Sequence, residues 1–261
     1  MSLTIARGAM TAITLAILAL AATTDAQAAE PTAVVGAGVA YVPKYDGASD
    51  KRVSPVLFGE YNFGNGAFIS TMRGIGYGTN IDGIELSAAL GVRGARYETS
   101  RSGRSGSDAL KGMGDIDATT TANLSASTRI GEFGIGMGMQ FALGKREYGN
   151  TYAFHASHPL YKSGSDSVEL SAGAVYGDRK HAQTYYGVTA AQSLRSGYKA
   201  TKAGAGFEQV SLSAAWTHTI DKHWSVRSVV GLTSLVGDAA DSPLTRKKTT
   251  PVFISTVNYA F

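Results

Sequence analysis

Five histidines are the side chains of this sequence that titrate near neutrality without help from their surroundings, so proton transfer or metal ligation would begin with them. His155 and His158 lie three residues apart, which on a strand places them on opposite faces and keeps them from sharing one ion. His218 falls beside Trp216 on an apolar face, where an interfacial side chain is expected; His223 belongs to a short turn and His181 to a loop. None is paired in the sequence with a nucleophile and an orienting acid in a pattern that would activate a Ser or Asp. Asp115 and Asp117 offer calcium only two carboxylates, a poor cage. Gly36-Ala37-Gly38 and Gly134-Ile135-Gly136 resemble the start of a nucleotide loop, but neither completes the six-residue glycine pattern or leads into a helix, so they read as packing glycines. The chain has no cysteine, which excludes disulfides, thiolate chemistry and a lipoprotein anchor. The sequence thus predicts no catalytic, cofactor-binding or metal-binding residue and no enzyme activity.

The elements that carry these residues are strands. From Phe207 to Ile220, Val210, Leu212, Ala214, Trp216 and Ile220 share one face, while Gln209, Ser211, Ser213, Thr217 and Thr219 share the other. That is a period of two. After the turn Asp221-Lys222-His223 it resumes with Trp224, Val226, Val230, Leu232 and Val236, giving a hairpin. Phe133 to Leu143 alternates large apolar residues with a nearly bare face of Gly134, Gly136, Gly138, Gln140, Ala142 and Gly144. Glycine at such density weakens an ordinary strand, but inside a narrow barrel it leaves room for large residues across the lumen. Ile84 to Arg93 and Ser167 to Tyr176 alternate as well.

Weaker segments run from Ala33 to Val42, Ser54 to Phe63, Ala67 to Gly78, Ile116 to Arg129, Thr151 to Tyr161 and Val252 to Phe261. The total is odd, whereas a single-chain bacterial barrel has an even number of strands. A break at Arg73-Gly74 gives twelve strands; ten is the alternative. Long connections near 98–113, 178–206 and 237–250 alternate with short turns such as Ile130-Gly131-Glu132. The predicted fold is therefore an all-β, antiparallel, up-and-down transmembrane β-barrel. Charged and polar residues expected on its lumen face are Glu85, Arg93, Asp117, Asn123, Arg129, Glu169 and Arg227, able either to pair and close the barrel or to line a narrow aqueous path. A filled lumen is favoured over an open one, because so few strands enclose little free space.

The termini agree with export to the outer membrane. Arg7, the apolar run Ala9 to Ala22 and the small-x-small pattern Ala26-Gln27-Ala28 read as a signal peptide over 1–28, cut after Ala28. That leaves 29–261 as one barrel domain. The run is too short for a helix that spans a bilayer, which takes about 20 apolar residues. A mean hydropathy of -0.03 fits a barrel, whose lumen and lipid faces average out. The net charge is +4, too mild to imply nucleic acid, which an exported chain would not meet. Basic clusters at Arg101, Arg104 and Lys111, at Arg179 and Lys180, at Lys199 and Lys202, and at Arg246, Lys247 and Lys248 could instead meet lipopolysaccharide phosphates among the outer-membrane lipids. At the C-terminus Phe253, Val257, Tyr259 and Phe261 share a face; Tyr259 and the final Phe261 look like the insertion signal read by the barrel insertion machinery.

Three segments resemble the MltA-interacting protein family, also called the MipA/OmpV family. Tyr45-Asp46-Gly47, followed by Arg52 and Pro55, is similar to its Tyr-x-Gly-Ser-Asp motif, with Ala48 in place of the usual Ser. Tyr185-Tyr186-Gly187-Val188-Thr189, followed by Gln192-Ser193 and Ser196-Gly197, is similar to its Tyr-(Phe/Tyr)-Gly-Val loop. The segment from Leu235 to Pro243, with Gly237, Asp238, Ala239, Ser242 and Pro243, resembles its Gly-Asp-Ala-x-x-Ser-Pro motif. The resemblance implies a non-enzymatic outer-membrane barrel that acts as a scaffold for a lytic transglycosylase and a murein synthase. Other members of the family are porin-like or adhesive, so the resemblance also leaves a small-solute porin, or an adhesin acting through its loops, as alternatives.

Overall fold

The structure, a computed structural model, describes residues 30–100 and 105–261. The expected signal segment with its cleavage site at Ala28, and Arg101 and Arg104, lie outside the described residues. Twelve strands form one closed antiparallel barrel, each bonded to its neighbours in the chain. They are β1 (Thr32–Pro43), β2 (Lys51–Asn62), β3 (Ala67–Ser70), β4 (Gly74–Ile81), β5 (Ile84–Arg93), β6 (Thr119–Ile130), β7 (Phe133–Ala142), β8 (Thr151–Ser163), β9 (Asp166–Gly177), β10 (Gly206–Thr219), β11 (Trp224–Leu235) and β12 (Thr249–Ala260). Closure runs from Val34 opposite Ala260 to Tyr41 opposite Phe253, so every strand has a neighbour on both sides.

The expected break at Arg73-Gly74 is present between β3 and β4. Ser70 Oγ accepts from the Met72 and Arg73 amides, both at 3.2 Å, and closes the turn. Arg73 then reaches Glu60 with Nε to Oε2 at 3.0 Å and lies over the Phe68 ring. The prolines within strands occupy places that cost little ladder. Pro55 lies on the part of β2 that β3 does not reach, because β3 pairs only with Glu60–Asn62; Pro251 lies beyond the part of β12 that pairs with β1; Pro159 sits at a register shift in β8. A missing N–H is tolerated at such flanks and bulges.

The outward face is apolar: Val53, Leu57, Ile75, Leu90, Leu212, Val230 and Leu232 are all more than half exposed. In water so large a greasy surface would drive association; in a bilayer it is the lipid-facing band. A twelve-residue strand such as β1, rising about 3.3 Å per residue and tilted about 40°, spans about 30 Å of bilayer. Aromatic residues mark the turn end, where the Trp216 indole N–H donates to Asp166 Oδ1 at 2.8 Å and stacks on His218. The start of β1 and the end of β12 lie at this end with the short turns, the periplasmic side of such a barrel.

The inward face packs. Ala40, Val42, Val56, Ala215, Val229 and Ile254 form a buried cluster inside the wall, with Phe58, Met72 and Val252 against it. The bare face of β7 is filled from the next strand: a Cβ at Gly136 would stand 2.3 Å from His155 Cε1. His158 turns the other way, against Phe133 and Glu132. The lumen charges pair along the wall rather than across it. Arg227 donates to Thr217 at 3.1 Å and lies 3.9 Å from Glu169, and Ser127 Oγ donates to Glu85 at 3.3 Å. Asp117 departs from expectation: β6 starts at Thr119, so Asp117 lies in the preceding loop, 3.8 Å from Lys145.

Candidate functional site

The chain's ordered irregular structure gathers at the other end, over the mouth. The connection expected as a plain loop at 178–206 contains two helices, α1 (Arg179–Tyr186) and α2 (Ala190–Ser196), and α3 (Gly237–Asp241) follows β11. Asp178 starts α1 by accepting the His181 amide at 2.8 Å. At its other end the Arg96 guanidinium donates to the carbonyls of Tyr185 at 2.6 Å and Thr184 at 3.4 Å. A cation there satisfies carbonyls that the helix leaves without partners and opposes its dipole. Thr189 and Gln192 form a reciprocal capping box at the start of α2.

Beneath α1 is a buried polar hub. Arg93, at the top of β5, is 3% exposed. It donates to Gln140 Oε1 at 2.7 Å and to the Gly149 carbonyl at 3.0 Å, and it lies 3.4 Å from His181 Nδ1. His181 Nε2 faces Glu208 Oε2 at 3.3 Å, and Tyr185 stacks on the imidazole. Burial, together with the positive charges of Arg93 and Arg96, holds the His181 pKa well below its usual value, so the ring is neutral. With Nδ1 facing an arginine donor, the proton sits on Nε2 and is donated to Glu208. β5 and β10 are five strands apart in a ring of twelve, nearly opposite. A residue that touches both Arg93 and Glu208 therefore lies across the mouth. Both imidazole nitrogens are engaged within this hub, which leaves His181 no free nitrogen for a nucleophile. Among the described residues no group of three or more His, Asp or Glu could hold a metal ion.

The three family-like segments meet in this cap. Tyr45 Oη donates to the Leu244 carbonyl at 2.9 Å, and burial, with Tyr198 nearby, pushes the phenol up to about 12. Gly47 has φ of 93°, and its carbonyl accepts from the amides of Arg246 and Lys247 at 2.8 and 3.0 Å. A side chain there would be strained and would meet Thr245 Oγ1 at 2.8 Å. Ser242 Oγ donates to the Tyr186 carbonyl at 2.6 Å. Tyr186 is buried with Ala239 and Ala240, and Val188 with Tyr45 and Leu244. Tyr185 caps the hub, Gly187 closes α1 by donating to the Ala182 and Gln183 carbonyls, and Gly237 opens α3. Asp238 Oδ2 accepts the Gly204 amide at 2.7 Å, and half-buried Pro243 precedes Leu244. Residues 105–118 are tied to the cap by Gln192 Nε2 donating to the Met113 carbonyl at 2.8 Å and Tyr198 Oη to the Ala109 carbonyl at 2.6 Å.

Arg52 and Pro55 stay outside the cap: both belong to β2, where Pro55 is exposed on the outward face and Arg52 alternates to the inward one. Arg96 and Glu208 are the hub residues that sequence reasoning did not single out, and His181, expected in a loop, lies in α1. At the opposite end Phe261, 72% exposed, donates its amide to the Ala33 carbonyl and meets Tyr259 edge-on.

The sequence profile of the family described as "MltA-interacting protein MipA" matches residues 35–261. None of the curated proteins matches the chain. Among solved structures, an outer membrane channel from Pseudomonas putida F1 is 12% identical, with 92% of this chain and 100% of that chain covered at a TM-score of 0.39. OmpT, an outer membrane protein of Vibrio cholerae, is 7% identical, with 89% and 98% covered and a TM-score of 0.40.

Proposed function

The chain belongs to the MltA-interacting protein MipA family, and from that premise we propose that this outer-membrane barrel is a non-enzymatic scaffold for murein-remodelling enzymes, a lytic transglycosylase and a murein synthase. The observation that carries this reading over a small-solute porin is the bridged, capped mouth. An apolar cluster occupies the inward wall, and His181 bridges the mouth above it. Diffusion of solutes needs a continuous aqueous path, whereas a scaffold needs only a rigid body held in the membrane. Crosslinking in native membranes followed by purification is expected to recover a lytic transglycosylase with the barrel. Repeated recovery without one, together with stable conductance steps in planar bilayers, would replace the scaffold with the porin. An adhesin is the remaining alternative, and the packed loop cap is the surface it would use.

Export with cleavage after Ala28 and recognition of Phe261 by the insertion machinery belong to the same proposal. Deleting Phe261 is expected to slow assembly without preventing strand pairing, since β12 keeps its partners on both sides. Pulse-labelling with heat-modifiable gel migration measures this. Assembly at the parental rate would remove Phe261 from the signal.

A further inference from the structure

On the outer rim, between the β7–β8 connection and the start of α1, a crevice of ≈ 440 Å³ is lined by Phe141, Arg146, Asn150, Asp178, Arg179 and Lys180, with Ala142 at its base. Arg146, Arg179 and Lys180 are exposed, and among the described residues none forms an ion pair with them. Asp178, the one carboxylate in the lining, is engaged by the His181 amide. Directly below, on the lipid side, an aromatic ladder crosses four strands. Phe141 contacts Tyr152 at 6.3 Å, Tyr152 contacts Tyr176 at 6.1 Å, and Tyr176 contacts Phe207 at 5.6 Å. Phe154 joins it through Phe207 at 6.4 Å. The outward facing of these rings follows from register, since Tyr152 stands opposite Met139 and Tyr176, and Tyr176 opposite Phe207.

We propose that this crevice binds a phosphate-bearing glycolipid of the outer leaflet, with the phosphate among Arg146, Arg179 and Lys180 and an acyl chain along the aromatic ladder. Three cations without ion-pair partners attract a dianionic headgroup, and the arginine forks match phosphate oxygens. Aromatic rings at the boundary of the apolar band accept the chain while facing the polar layer with their edges. Neither half of the site suffices: the cations alone would take any phosphate, and the ladder alone any lipid. The chemistry therefore selects an amphiphile that carries both.

The test uses the full barrel in maltoside micelles and counts bound diphosphorylated lipid A by native mass spectrometry. The variant Arg146→Gln/Arg179→Gln/Lys180→Gln is expected to lose about tenfold in affinity, which corresponds to about 1.4 kcal/mol. The control Lys111→Gln/Lys199→Gln/Lys202→Gln removes the same charge from loops elsewhere and is expected to bind like the parent. Dephosphorylated lipid A is expected to bind weakly to all three. Heat-modifiable migration verifies that each variant is folded. Equal loss in both triple variants would reduce the effect to net charge and overturn the site. Equal binding of dephosphorylated lipid would overturn the role of the cations, and complete displacement by an equal concentration of inorganic phosphate would overturn the role of the ladder.

Discussion

Replacing Arg93 with methionine is expected to destabilise the capped barrel by about 3–5 kcal/mol, the scale seen when one partner of a buried charge network is removed. The guanidinium is 3% exposed and serves Gln140, the Tyr148 and Gly149 carbonyls, and His181 at once. Methionine fills part of the volume but leaves those acceptors unsatisfied. The loss should appear first as opening of the cap, because the strand ladders below do not depend on Arg93. Limited proteolysis at Arg179 and Lys180 should therefore accelerate at temperatures where the barrel still migrates as folded on gels. Arg93→Lys should recover little, since one ammonium cannot reach the acceptors that the planar fork spans. Proteolysis unchanged from the parent would mean that the cap is held by its apolar clusters alone.

The second large effect is expected in the lipid-facing wall. Leu212, at the middle of β10 and 60% exposed, stands opposite Leu232 on β11 and Ala172 on β9. Leu212→Lys places a charge near the bilayer midplane and should cost about 2–4 kcal/mol. Trp216→Lys, four residues nearer the turns, should cost about 0–1 kcal/mol in transfer, because its indole is already at the polar boundary beside Asp166. Ser213→Lys faces inward between Gly231 and Ser171, two small neighbours, and should be milder than Leu212→Lys. Reversible urea unfolding in lipid vesicles gives the three values. An inverted order for Leu212 and Ser213 would show that the strand faces the other way.

Much of the wall was legible because alternation is a direct physical record of a two-faced strand. The even strand number followed from topology and the break from Arg73-Gly74, whereas the inward glycines of β7, read as room for large residues across the lumen, are filled at Gly136 by His155 from the adjacent strand. The cap was not legible as structure. α1 and α2 have eight and seven residues, too short to establish a helical period, although Thr189 and Gln192 have the spacing of a capping box and could have flagged α2. Glu208 was hidden by the register shift between Phe207 and Gln209, where a bulge breaks strict alternation. The hub joins Arg93 to Glu208 through a third element, a pairing that no local pattern encodes. The three family-like segments were visible separately, but their convergence depends on barrel closure, which brings the β1–β2 connection beside the one preceding β12.

The ends of the barrel differ in a way that constrains the proposed scaffold. Where the mouth carries three helices and a packed cap, the turn end offers, among the described residues, tight connections around Gly64, Asp82, Glu132, Gly164 and Lys222, between strands whose bounds leave a few residues each. A stable protein interface takes about 800 Å² from each partner, more than one such hairpin tip presents. A periplasmic enzyme would therefore have to rest on several tips together, as a lid rests on the merlons of a tower. Recognition of that kind reads the spacing and circumference of the crown more than the identity of any one residue, and a partner adapted to it would be sensitive to the number of strands.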